Sequence, residues 1–270
     1  MILRKQIGWC VAQAFRIVGA RRRAVARARA EGVILPIVIH AAKADEVRAI
    51  LEWLKRKGVL ERVWLSFDDG WREFKDTVRV LEEFETPATL FVAPGETMRG
   101  DIWTDGLTVA ERQALYDKGE AERVSILAQG HGDAEVGDVS GAGGRMLLTA
   151  DEIREIAKHP LVRIGNHTWS HLSCTSRPIA EVLDEVDRAQ ATLTEWCGYA
   201  PTEFAYPFGR GTPELDAEIR KRGMTPHYTR QGLVTGGTLG AARNMVYEGM
   251  SLAENLGRIL MAWPKVGVTL

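Results

Sequence analysis

No stretch of this chain approaches the roughly 20 consecutive apolar residues that a membrane-spanning helix needs, which excludes an integral helical membrane protein. Cysteine is scarce. Cys10, Cys174 and Cys197 are odd in number and match no metal-binding spacing, so three reduced thiols are expected. Basic charge is not in excess, with 35 Lys and Arg against 36 Asp and Glu in 270 residues. The electrostatic footprint of a nucleic-acid-binding protein is therefore missing, and no nucleic-acid partner is expected. The N-terminal stretch makes a poor secretion signal. Arg16 interrupts the first apolar stretch, and Arg21, Arg22 and Arg23 stand where small residues would mark a cleavage site. No internal repeat or low-complexity linker divides the chain. With 45% hydrophobic and 26% charged residues it has a globular composition.

The near-neutral total conceals an uneven distribution. Residues 1–30 carry eight basic side chains (Arg4, Lys5, Arg16, Arg21, Arg22, Arg23, Arg27, Arg29) and no acidic one, which leaves −9 for residues 31–270. Leu3, Ile7, Cys10, Val11, Ala14 and Val18 recur at helical spacing. Residues 1–30 thus read as a basic amphipathic helix. It would either lie on an anionic membrane surface or pack on the body of the protein with its arginines solvated. The expected location is cytoplasmic, at the inner face of the membrane in the first case.

From residue 31 to 270 we expect one catalytic domain in which short apolar runs alternate with amphipathic ones. Val33–Ile39 is an aliphatic run suited to a buried strand, although Pro36 cannot donate to a ladder and suggests a strand start or bulge. A helix is predicted over Ala44–Lys57, a strand over Arg62–Phe67, a helix over Arg72–Phe84 and a strand over Ala88–Ala93. Further on come a helix near 150–158, a strand at 161–166, a helix at 180–196, a strand at 203–206 and helices at 213–222 and 251–263. Repeated strand–helix units imply a parallel sheet with outer helices, either doubly wound or closed into a barrel. The rhythm is lost over about 95–149, which reads as an insertion: a helical piece at Val109–Lys118, then a Gly-rich loop.

In such a fold the carboxyl ends of the strands are where ligands bind. Four of these ends carry unusual groups: His40, Asp68-Asp69-Gly70, His167-Thr168-Trp169-Ser170-His171, and Tyr206-Pro207-Phe208-Gly209. Two imidazoles and one carboxylate with an open fourth position make a catalytic zinc-type site, and iron, cobalt or nickel would also accept these donors. One aspartate can bind the metal while its neighbour acts as general base toward a bound water. The metal lowers the pKa of that water towards about 7 and polarises a carbonyl. This is equipment for hydrolysing an amide or ester.

Ser66-Phe67-Asp68-Asp69-Gly70, His167-Thr168-Trp169-Ser170-His171 and Phe204-Ala205-Tyr206-Pro207-Phe208-Gly209 resemble the first three motifs of the polysaccharide deacetylases, carbohydrate esterase family four. The resemblance implies a distorted (β/α) barrel with fewer than eight parallel strands and outer helices. It also implies metal-dependent removal of acetyl from an N-acetylated sugar, the expected substrate. Position by position, Asp68 would be the base, and Asp69, His167 and His171 would hold one divalent metal ion, zinc first. The Phe208 N–H would hold the oxyanion, with Tyr206 in the same substrate loop. The family's third-motif arginine is absent, because Ala205 stands in its place, and Arg243 is the candidate that takes over. No histidine follows His227, so the family's C-terminal acid motif is missing. Val38-Ile39-His40 resembles the branch in which that motif is moved to the front of the chain, which makes His40 the candidate acid. His131, His159 and His227 have no motif around them and are expected to be structural or solvated. The alternatives are hydrolysis of another non-peptide C–N bond, as in a formamide or cyclic imide, and a non-catalytic carbohydrate-binding pseudoenzyme.

Overall fold

The structure is a computed structural model that describes residues 33–41, 43–130, 146–229, 234–235, 243–246 and 255. The helix expected over 1–30, most of the one expected over 251–263, His131 and most of the Gly-rich loop lie outside these residues.

Strand β1 (Val33–Ile39) leads into helix α1 (Ala44–Arg56). Next come β2 (Val63–Phe67), α2 (Phe74–Glu83) and β3 (Ala88–Val92). Three helices then intervene: α3 (Pro94–Arg99), α4 (Val109–Leu115) and α5 (Glu120–Gly130). The strand–helix rhythm returns with α6 (Ala150–Ile156), β4 (Val162–Asn166), α7 (Ile179–Cys197), β5 (Glu203–Ala205), α8 (Pro213–Lys221) and β6 (Thr225–His227). The last described strands are β7 (Val234–Thr235) and β8 (Asn244–Met245).

Hydrogen bonding runs β6-β5-β4-β3-β2-β1, with β8 parallel to β1 on its other side. That makes seven parallel strands. A parallel bridge between Thr229 and Arg243 joins the end of β6 to the start of β8 and closes the ring. The fold is the distorted (β/α) barrel that the family resemblance implies, and it decides between the doubly wound and barrel arrangements that the repeated units leave open. Among the described strands only β7 runs antiparallel, pairing Val33 and Ile34 of β1. Pro36 is tolerated because it falls between the β7 contacts at 33–34 and the β8 contacts at 37–38. Its carbonyl accepts from the Asn244 side chain at 2.8 Å.

The helices form where apolar residues recur every three or four positions, and those stripes face the sheet. Val47, Ile50, Leu51 and Leu54 of α1 are buried, as are Val182, Val186, Ala189 and Leu193 of α7. Each large aliphatic side chain among them stabilises the fold by about 1.5–3 kcal/mol through burial. Helices α4 and α6 start at capping boxes, Thr108 with Glu111 and Thr149 with Glu152. The barrel interior is filled by aromatic rings. Trp64 stacks on His227 with centroids 4.4 Å apart, and Phe91 lies against both. Phe91 leaves no room beside β4: a Cβ on Gly165 would meet its ring at 2.4 Å, so only glycine fits there. His227 is buried and bonded to Glu203, whereas His159 reaches Glu82 at 2.9 Å near the surface. Cys174 and Cys197 are free thiols. Among the described residues no helix is long and apolar enough to cross a membrane.

Candidate metal centre and active site

The strand ends deliver the predicted groups to one rim. Asp68 extends the β1–β2 ladder by one bond (N to Ile39 O, 3.0 Å), and His167 does the same between β3 and β4 (N to Val92 O, 3.1 Å). Beyond these points the chain turns sharply. Asp69, Thr168, His171 and Phe208 all adopt positive φ, at 75°, 62°, 49° and 58°. Such backbone is unfavourable for residues with a Cβ and persists only where the surroundings enforce it.

Asp69, His167 and His171 form a buried cluster whose ligand-type atoms all lie within 4.8 Å of one another. Asp69 Oδ1 is 3.4 Å from His167 Nε2 and 3.3 Å from His171 Nε2, and it has no hydrogen-bond partner. A tetrahedral site with bonds of about 2.0–2.1 Å has ligand–ligand edges of about 3.3–3.4 Å. The orphaned carboxylate oxygen and the two converging ring nitrogens therefore fit a divalent ion. His167 Nδ1 donates to the Ala205 carbonyl at 2.7 Å, which leaves Nε2 with its lone pair toward the centre. Asp69 Oδ2 accepts from Trp71 Nε1 at 3.1 Å.

Asp68 is next to this cluster and differently held. Arg243, fully buried on the strand that closes the barrel, donates to Asp68 Oδ1 at 2.6 Å and to Oδ2 at 2.9 Å. Its Nη1 also reaches Ser66 Oγ at 3.3 Å. Burial pushes the Asp68 carboxyl up, but the guanidinium, together with the His167 and His40 imidazoles, leaves the group below the usual carboxylate range. Asp68 is thus ionised near neutrality. His40 Nε2 lies 3.9 Å from Asp68 Oδ2, with about a third of the His40 side chain exposed.

Phe208 packs between His171 and Tyr116, at 4.7 Å from each ring. Tyr206 is placed elsewhere. It is buried against Phe204 and Tyr228, its hydroxyl donates to Asp216 at 2.8 Å, and it braces the loop from below rather than lining the cleft. The cleft over the cluster measures about 580 Å³. Trp71, Thr104, Asp105 and Arg112 line it as well, and nothing in the motif pattern singles them out. Three of these four lie between β3 and β4, where sequence periodicity is weakest.

The sequence matches the polysaccharide deacetylase family over residues 55–227. The chain belongs to the polysaccharide deacetylase family. Solved structures agree on the fold of this family member. The deacetylase PplD of Streptococcus pyogenes is 19% identical with a TM-score of 0.56, covering 84% of this chain and 98% of its own. IcaB of Ammonifex degensii is 18% identical with a TM-score of 0.56, covering 83% and 96%. BC0361, a polysaccharide deacetylase from Bacillus cereus, is 16% identical with a TM-score of 0.57, covering 84% and 69%. Among curated proteins no match is found. The family match stops short of both His40 and Arg243. Closure of the barrel through β1 and β8 nevertheless puts both beside Asp68.

Proposed function

We propose that the protein removes the acetyl group from an N-acetylated carbohydrate by metal-dependent hydrolysis. The observation that carries this reading is one buried rim holding two differently equipped aspartates. Asp69 has a bare oxygen facing two imidazoles, and Asp68 is clamped by a guanidinium. In this proposal Asp69, His167 and His171 hold one divalent ion, with zinc the first fit to the donor set. When bound, the ion supplies Lewis acidity and a water that ionises near neutrality.

The chain's own residues do the rest. Asp68 takes a proton from the attacking water, and Arg243 fixes which carboxylate lone pairs face the cleft. Attack turns the planar acetamide carbon tetrahedral and places negative charge on its oxygen. The Phe208 N–H, in the left-handed turn beside His171, is the donor assigned to that oxygen. As the C–N bond breaks, the nitrogen needs a proton, and His40 is the group assigned to give it. The products are acetate and a free amine. The loop Tyr206-Pro207-Phe208-Gly209 and His40 at the end of β1 support placing the chain in the branch with the permuted histidine motif.

Mass spectrometry of metal-loaded protein with N-acetylated oligosaccharides and lipid- or nucleotide-linked sugars tests the proposal. The expected result is loss of one acetyl group with release of acetate, and Asp68→Asn should abolish it while the metal stays bound. Formate release or imide ring opening without acetate would move the assignment to another C–N bond. Sugar binding without turnover would make the protein a binding module.

A further inference from the structure

The segment between β3 and β4 does more than border the cleft. The loop that carries His167 and His171 exposes two backbone carbonyls on the side of that segment, and each receives a side-chain donor from it. Arg123 on α5 donates from Nη2 to Ser170 O at 2.9 Å and to Ser170 Oγ at 2.7 Å. Trp103 donates from Nε1 to His171 O at 3.1 Å. The opposite side of the same loop is gripped by Glu185 on α7, which accepts from Ser170 N at 2.7 Å and from Ser170 Oγ at 2.9 Å.

Arg123 is almost fully buried, and among the described residues no carboxylate lies within ion-pair distance of it. Its direct partners are Lys118 O at 2.7 Å, the Ser170 oxygens and the face of Trp103 at 4.9 Å, with the Glu96 and Glu185 charges acting from farther off. Burying a guanidinium costs several kcal/mol, so a side chain in this position must make its directional bonds. The clamp continues outward. Trp103 N donates to Glu96 at 3.0 Å, and Glu96 pairs with Arg99, which also holds Glu120 at the start of α5. Trp169 of the loop is fixed by Gly95, where a Cβ would meet its ring nitrogen at 2.6 Å, and by Arg188 stacked 3.6 Å over its ring.

The two ligand histidines differ in how they are held. His167 has a hydrogen bond on Nδ1, whereas His171 Nδ1 is buried without one and His171 carries strained backbone at φ 49°. A ligand imidazole normally owes its orientation to a partner on its second nitrogen. For His171 that restraint comes through the peptide on either side. We infer that Arg123 is a positioning residue for the metal centre, holding His171 in its ligating pose through Ser170, and that the segment between β3 and β4 is a buttress of the site.

This rests on the metal reading proposed above, and the test separates the two. Divalent-ion affinity is measured without substrate, by chelator competition with Zn²⁺ and by the visible spectrum of the Co²⁺-loaded protein. Arg123→Gln is expected to weaken metal binding about 10–100-fold, the usual effect of losing an outer-shell partner. It should also change the Co²⁺ spectrum and lower kcat with KM held. Arg123→Lys keeps a charge and one donor and should fall between the two; it also serves if the Gln variant does not fold. Val124→Ala, on the exposed face of the same helix, leaves the clamp intact and should leave affinity and spectrum alone. Wild-type affinity in folded Arg123→Gln, or an equal loss in Val124→Ala, overturns the inference. If the wild-type protein binds no divalent ion, the metal reading fails instead.

Discussion

Arg243→Met removes a guanidinium that is fully buried and makes both of its charged hydrogen bonds to Asp68. The methionine fills part of the volume against Phe91 but leaves a buried carboxylate without its guanidinium partner. Breaking a buried pair from one side costs about 3–5 kcal/mol. At about 2–4 °C per kcal/mol for a chain of this size, the melting temperature should drop by about 6–20 °C near pH 7. The cost depends on pH. In the wild type Asp68 sits below its ordinary value of 3.8, so its contribution is present above that pH and is lost as pH falls through the depressed value. In the variant only the His167 and His40 imidazoles still oppose burial, and the folded-state value rises. The deficit should therefore grow as pH climbs from about 4 and shrink on acidification. Adding Asp68→Asn removes the stranded charge and should recover about 2–3 kcal/mol as a coupling energy in the double-mutant cycle. Denaturant unfolding of the wild type, the two single variants and the double variant at saturating metal measures it. An effect of Arg243→Met that is the same with and without Asp68→Asn would refute the argument.

Three further outcomes follow from particular groups. Burial pushes the Glu96 carboxyl up to about 7, so wild-type stability carries a term that falls as pH rises from its ordinary 4.5 through 7. Glu96→Gln should gain on the wild type across that window, and a stability difference that is flat between pH 5 and 8 would contradict this. His40→Ala should depress turnover of an acetamide far more than that of an activated aryl acetate, whose leaving group needs no proton; equal losses would remove His40 from proton delivery. Deleting residues 1–30 should abolish sedimentation with anionic vesicles while metal binding persists, and a full-length protein that ignores such vesicles rejects the membrane-surface reading.

The helices that read clearly in the sequence are those whose burial follows their period. In α1 the residues at helical spacing, Val47, Ile50, Leu51 and Leu54, are the buried ones, and α7 behaves likewise. The ligand cluster is equally visible, because its groups stand in two short runs, each at a strand end. What stays hidden depends on partners distant in the chain. In α5 the pattern is inverted, with Val124 and Ile126 exposed and Arg123 inside, so hydrophobic periodicity points the wrong way. Helix α3 buries Glu96 and Thr97 on a single turn and a half that holds Pro94 and Gly95, too short and too polar to show a period. Strands β6 and β8 are three and two residues long, include Pro226, His227 and Asn244, and exist because closure of the barrel imposes them. The role of Arg123 leaves no trace in the local sequence.

The closing strand also sets an order of events in time. Arg243 follows Asp68 by 175 positions, and it arrives on the same strand that seals the ring against β1 and the end of β6. On a ribosome adding about 5–20 residues per second, Asp68 waits about 9–35 s for its guanidinium. By the end of that interval Asp69, His167 and His171 have all been made, since each precedes the seam. A nascent chain thus carries both aspartates and both histidines before the guanidinium that orients Asp68 exists. The seam that closes the ring also completes the Asp68 ion pair, so that pair cannot form in a chain that stops short of Arg243.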